Sequence, residues 1–305
     1  MKWQKKGLIY APNPKLDWQQ SFAMLPCLYL VNNEVLRIFY GSCDKNNIGR
    51  ISYIDVNPSN PKDIIYTHEE PCFYEGQNGC FDDNGVVPVS LIEKNGKLLL
   101  YYIGFQLGVK VPYYMFCGLA ESSNQGKSFK RILNTPILDR TSEELYARCG
   151  CHVIKHDNKY KMWYIGSYEE GWTQTKEGLK PLYNMKYIES DDGVNFNSKP
   201  ITCMHYNNDD EHGFGRPYVW IQDGIYKMIM SIRTYSQGYQ LAYAESNDGI
   251  NWKRLDNKIL QGKQYEWDCN NQSYATIFNF KDKTYLFYNG NDCGKTGFGY
   301  AELVK

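Results

Sequence analysis

Carboxylates recur immediately before apolar, strand-like stretches of this chain, at Asp82-Asp83, Glu143-Glu144, Glu211 and Asp268. Gathered round one hollow, such groups can break a glycosidic bond, one protonating the leaving oxygen and another serving as base or nucleophile. Crowded like charges in a low-dielectric pocket push one pKa up, which supplies the acid. Two arginines follow closely, in Tyr146-Ala147-Arg148-Cys149-Gly150-Cys151-His152 and Gly215-Arg216-Pro217, and His212 adjoins Glu211. A guanidinium leading into a strand can hold an acid in place, grip a sugar carboxylate, clamp a phosphate, or tether neighbouring sheets. Taken singly, each acid also suits the capping of a turn on a solvated face.

The elements that would bring these residues together repeat along the chain. Tyr40, Tyr102, Tyr164, Met230 and Tyr288 close equivalent apolar runs, at steps of 62, 62, 66 and 58 residues. Before each run stands a turn signal: Asn32-Asn33, Asn95-Gly96, Asp157-Asn158, Asp223-Gly224 and Asp282-Lys283. Asn-Gly and Asp-Gly steps between short strands mark hairpins. Three repeats add a second turn, Glu121–Phe129, Glu189–Phe196 and Glu245–Trp252, built from Ser, Asp or Asn, Gly and an aromatic. Four strands per sixty or so residues, repeated evenly, predict an all-β fold, a five-bladed β-propeller with four antiparallel strands per blade. It takes residues 1–305 as one domain, with Gly299–Leu303 closing the ring against Gly7–Tyr10. A tandem pair of β-sandwiches would not explain the even pitch.

Composition removes other classes. The 305 residues carry 34 basic and 34 acidic side chains, a net charge of +0. That argues against binding nucleic acid by phosphate neutralisation and against a polybasic membrane anchor. No apolar run reaches the length of a membrane span, and no signal-peptide core follows Met1–Gly7. Ten scattered cysteines without a secretion signal read as reduced thiols, and the expected location is cytoplasmic. Cys149-Gly150-Cys151 lacks zinc-site spacing, so no metal is assigned. There is no Gly-rich phosphate loop, nucleophile elbow or dinucleotide fingerprint, so no cofactor is expected.

The repeat pattern, with Phe81–Pro88, Glu211–Pro217 and Tyr288–Asn291, resembles the five-bladed propeller carbohydrate-active enzymes. That superfamily joins arabinanases, β-xylosidases, invertase-like fructosidases and mannoside phosphorylases. The likeness is nearest to glycosidase-like propellers of bacterial surface-polysaccharide gene clusters. It implies acidic groups on inner strands of different blades acting as base or nucleophile, orienting acid and general acid. Aligning the repeats superposes Gln19, Asp82, Glu144, Glu211 and Cys269, with Asp268 one residue earlier. The expected catalytic residues are therefore Asp83 as base or nucleophile and Glu211 as acid, with Glu144 competing for the acid role. Asp82, Arg148, His212, Arg216, Asp268, Gln272, Trp18 and Trp172 are expected to bind substrate. Flat aromatics near strand ends, including Phe105, Tyr168, Tyr235, Tyr239 and Trp267, suit stacking on a pyranose. The polar insertion Glu169–Pro181 is a candidate lid. The expected function is a glycoside hydrolase-like enzyme acting on a glycosidic bond. Because the first blade offers Gln19-Gln20 where the family usually has an acid, a glycosyltransferase or phosphorylase of bacterial surface-polysaccharide biosynthesis is the alternative. The expected ligand is a sugar or oligosaccharide, with phosphate or a nucleotide sugar as possible co-substrate; a non-catalytic glycan-binding propeller is the remaining alternative.

Overall fold

The computed structural model describes residues 2–176, 178–255, 259–261 and 265–304. Strand β1 (Trp3–Tyr10) is followed by successive antiparallel groups. The first contains β2 (Ser21–Asn32), β3 (Val35–Cys43), β4 (Gly49–Asn57) and β5 (Asn60–Thr67). The second contains β6 (Val86–Lys94), β7 (Lys97–Leu107), β8 (Tyr113–Ser122) and β9 (Lys130–Arg131). Next come β10 (Ala147–His156), β11 (Lys159–Thr175), β12 (Gly178–Ser190) and β13 (Ile201–Met204). Then follow β14 (Glu211–Gln222), β15 (Ile225–Thr234), β16 (Gly238–Ser246) and β17 (Lys253–Leu255). The last group is β18 (Leu260–Gln261), β19 (Ser273–Phe280), β20 (Lys283–Asn289) and β21 (Phe298–Leu303). Helical structure among the described residues is confined to two short turns, Glu266–Asp268 and Asn291–Gly294.

Within each group the strands pair in chain order, except that β18 pairs parallel with β1 at the far edge of the last sheet. A short parallel bridge between β8 and β10 fuses two groups into one eight-stranded sheet, and none of the four sheets closes on itself. β1 pairs antiparallel with β21, Gly7 opposite Tyr300 and Leu8 opposite Gly299, so the beginning of the chain completes its last group. The inner strands touch in the cyclic order β2, β6, β10, β14, β19 and back to β2.

Three of the five hairpin signals became turns of the expected kind, while the other two hairpins turn at Asn33-Glu34 and Lys281-Asp282, one residue away from the signal. Asn95-Gly96, Asp157-Asn158 and Asp223-Gly224 all take positive φ, which lets two-residue loops follow the right-handed strand twist. In the second turns, Asp192 and Asp248 each accept two backbone N–H groups and an Asn side chain. Their glycines dock on the neighbouring group. A Cβ on Gly126, Gly193 or Gly249 would meet Phe39 at 2.3 Å, the Tyr101 hydroxyl at 3.0 Å, or Trp163 at 3.0 Å. The aromatic of one repeat therefore requires glycine in the next, which couples turn chemistry to packing between groups.

Candidate ligand-binding cavity

Each inner strand carries a bulge at one level, marked by register shifts after Met24, Pro88, Cys149, Gly215 and Ser273. Leu25, Gly150 and Tyr274 take left-handed backbone there, turning ladder groups towards the axis. Arg216 occupies the matching place on β14. Its Nη1 donates to the Pro26 carbonyl at 3.1 Å and the Val89 carbonyl at 3.4 Å; its Nη2 donates to Tyr274 at 2.8 Å and Ala275 at 3.1 Å. One buried guanidinium thus satisfies carbonyls of β2, β6 and β19, and forms the floor of a cavity.

That cavity holds about 870 Å³, within the size range of small-ligand sites. Its walls come from the inner strands, from β7, β8, β15 and β16, and from the β11–β12 hairpin, which presents Thr175, Lys176 and Lys180. The expected lid is therefore a hairpin extension on long strands. Tyr113, Tyr183, Tyr235, Tyr239 and Tyr274 supply flat faces and hydroxyls, and Phe22, Phe105 and Phe214 add apolar surface. Five lining residues, Phe22, Leu25, Tyr274, Asp292 and Cys293, are non-glycine residues with φ between 51° and 67°. Each such conformation stores strain, and strain of this kind collects at functional sites.

Among the expected site residues, His212 and Arg216 line this cavity, whereas Asp82, Asp83, Glu144, Arg148, Glu211, Asp268, Gln272, Trp18 and Trp172 do not. The acids expected round one hollow lie outside this cavity, each with partners of its own. Asp82 takes a bond from the Tyr102 hydroxyl at 3.0 Å and pairs with Arg131 at 2.7 Å. Glu144 accepts from Tyr164 at 2.9 Å and pairs with Arg148 at 3.0 Å. Asp268 accepts from Tyr288 at 2.8 Å and pairs with Lys5 at 2.8 Å. Gln19 fills the same place in the first group, donating to Tyr40. Glu211, whose group has Met230 where the others have a tyrosine, is held by Arg254 through two 2.8 Å bonds. A second-strand tyrosine meets the ring residue in four of the five groups, and a cation meets it in four: Arg131 and Arg254 from outer strands, Arg148 from β10 itself and Lys5 from β1. Each of these carboxylates is held by a neighbour, while Asp82 Oδ1 and Glu144 Oε1 are buried without a hydrogen-bond partner.

The remaining expected residues are also placed. Half-buried Asp83 accepts the Gly79 N–H at 2.9 Å in the loop before β6. Trp18 is buried and donates to the Glu69 carbonyl at 2.8 Å. Trp172 packs on Tyr113 and Tyr146, buttressing the cavity wall. Gln272 donates to the Asp268 carbonyl. With Glu211 and Arg254 it borders a second cavity of about 460 Å³, which shares Thr234 with the first. The larger cavity's charged lining is Lys176, Lys180, Arg216 and Arg233 against one carboxylate, Asp292. Arg233 carried no signal in the sequence beyond its place at the end of a second strand.

Burial and Arg233 pull the His212 imidazole down to about 4, so it is neutral near pH 7 and stacks on Tyr235 at 4.1 Å. Burial and Arg216 pull His152 down to about 3, and its Nδ1 accepts the Val219 N–H. Both folded values lie below the ordinary 6.5, so the unfolded chain binds protons more readily between pH 6.5 and about 4. Stability should be full above pH 6.5 and fall by several kcal/mol towards pH 4, at about 1.4 kcal/mol per unit of depression. Urea unfolding across that range checks it. His152→Gln, which keeps an acceptor for Val219, should flatten the profile, and an already flat wild-type curve would refute the assignment.

The fold is that of the propeller glycoside hydrolases, a class represented among similar solved structures by a thermostable family-43 enzyme and an endo-arabinase. A glycosyl hydrolase from Bacteroides ovatus superposes with a TM-score of 0.76 at 14% identity, over 98% of this chain and 92% of that one. A Bombyx mori family-32 β-fructofuranosidase in complex with sucrose gives 0.63 at 13% identity, over 96% and 63% of the two chains. At such identities the likeness is one of fold. In sequence, the chain is 29% identical over 304 residues to an uncharacterised protein of Mycobacterium tuberculosis, Rv1502, covering 99% of both. No protein-family model matches the chain. Among the described residues no helix is long and apolar enough to cross a membrane.

Proposed function

We propose that this chain is a five-bladed propeller that binds a saccharide in its central cavity, as a glycan-binding relative of the glycoside hydrolases. The observation that carries this reading is the lining itself: tyrosine faces, hydroxyls and guanidinium donors on a strained frame, with the carboxylates bolted into the sheets. Aromatic faces take the C–H side of a sugar while polar neighbours take its hydroxyls. A reducing, cytoplasmic setting suits the ten free thiols, among them Cys117 and Cys151 with sulfurs 3.6 Å apart. A role in assembling bacterial surface polysaccharide, with a sugar phosphate or nucleotide sugar as ligand, fits such a setting.

A second reading, turnover of a glycosidic bond with Asp83 and Glu211 as the acid–base pair and Glu144 as alternative acid, keeps one support. Glu211 borders the smaller cavity, which adjoins the larger at Thr234. Amide substitutions separate the two. Under the binding reading, Asp83→Asn leaves glycan affinity unchanged and Glu211→Gln chiefly lowers the urea midpoint, because it breaks the double bond to Arg254. Tyr239→Ala removes binding, read by saturation-transfer NMR against a glycan array hit. Loss of aryl-glycoside turnover in Asp83→Asn with affinity retained would establish the enzymatic reading instead.

A further inference from the structure

Counter-ions are distributed unevenly over the arginines. Arg37, Arg50, Arg131, Arg148 and Arg254 each meet a carboxylate within 3.2 Å. Arg140 is exposed and lies over Tyr114. Among the described residues, Arg216 and Arg233 alone are at least half-buried without a carboxylate partner, and both line the central cavity. Arg233 is bounded by aromatic rings instead, its guanidinium 6.0 Å from the Tyr183 ring centre and 5.9 Å from that of Tyr239. Two further polar atoms are buried without a hydrogen bond in the same walls: Nε of Arg216 and Nδ1 of His212, whose residues are 3% and 4% exposed. A buried cation with no counter-charge is costly, and a ligand oxyanion removes that cost.

We infer that the cavity recognises its saccharide through an oxyanion, a carboxylate or phosphate carried by the sugar, which the guanidinium of Arg233 binds beneath the Lys176 and Lys180 hairpin. This rests on the reading that a saccharide occupies the cavity, and adds the chemical class of the ligand. Tyr183 and Tyr239 flank the anion and hold the guanidinium fork, and Arg216 adds positive potential from the floor. Burial opposes the charge on Arg233, and burial also pushes the phenols of Tyr239 and Tyr183 up, so both flank it as neutral hydroxyls. Neutral His212 can accept a sugar hydroxyl without competing for the anion.

Calorimetric titration of the intact protein with galacturonate, glucose 1-phosphate, galactose, glucose and inorganic phosphate tests this. At least one charged sugar should bind about tenfold or more tightly than its neutral counterpart, the value of one charge-assisted hydrogen bond. Which of the two binds distinguishes carboxylate from phosphate. Arg233→Gln should erase the preference, Arg233→Lys should restore part of it, and both should keep the wild-type thermal midpoint. Equal affinity for charged and neutral sugars overturns the anion site and leaves the saccharide reading intact. Binding of inorganic phosphate without any sugar leaves the anion site intact and overturns the saccharide reading. Silence from all five probes overturns both.

Discussion

Arg216→Met should lower the free energy of unfolding by about 3 to 5 kcal/mol, seen as a large drop in urea midpoint at unchanged slope. The side chain is 3% exposed and bonds carbonyls of Pro26, Val89, Tyr274 and Ala275, from three inner strands. Those carbonyls face the axis because the bulges took them out of the ladders. Removing their common donor leaves buried acceptors unpaired, at about 1 to 3 kcal/mol each where water cannot enter. Arg216→Lys should recover only part of the loss, since one ammonium cannot span the fork. Unchanged stability in Arg216→Met, with ligand affinity abolished, would instead make the guanidinium a ligand group first.

Asp268→Asn should be comparably severe, by about 3 to 5 kcal/mol, for a different reason. Lys5 and Asp268 have side chains 4% and 0% exposed and meet at 2.8 Å, so the amide strands a buried ammonium. The amide oxygen of that variant can still accept from the Tyr288 hydroxyl or the Tyr265 N–H, the two donors that Asp268 serves, so the loss reports chiefly on charge. Adding Lys5→Met should therefore return most of the stability. Because Lys5 lies on β1, limited proteolysis of the single variant should cut within residues 3–10 before the rest unfolds. A single variant as stable as wild type would show that this pair contributes nothing to seating β1.

Much of the architecture could be read from spacing. Tyr40, Tyr102, Tyr164 and Tyr288 gave the period, and the turn dipeptides gave the hairpins, because both are local chemistry. Gln19, Asp82, Glu144 and Asp268 each bond the second-strand tyrosine of their group, so Asp268, on a short 3-10 turn, stands where the alignment put Cys269. What spacing could not give was the direction the acids face. Three of their cations stand far off in sequence, Arg131 from Asp82, Arg254 from Glu211 and Lys5 from Asp268, while Arg148 follows its acid, Glu144, closely. One signal was present. The repeated Tyr-Ile-Gly ends at Gly104 and Gly166, where a Cβ would lie 2.6 Å from Asp82 and 2.3 Å from Glu144. Glycine is required there because the side chains before the inner strand pack against it, the Phe81 ring and Asp82 Cβ at Gly104 and the Glu144 carboxyl at Gly166. Arg233, in contrast, is recognisable only from the partner it lacks.

The pairing of β1 with β21 constrains how the molecule can be made. Trp3–Tyr10 leaves the ribosome early, yet its antiparallel neighbour Phe298–Leu303 is translated nearly three hundred residues later. Through most of synthesis the growing polypeptide must hold an apolar segment, with Trp3 destined for full burial, without its proper neighbour. Contacts so distant in sequence form slowly, and an unpaired edge invites association with other chains in the interval. Seating of β1 therefore waits for β21, and a circular permutant placing this segment directly after residue 304 should reach the native state faster without altering it.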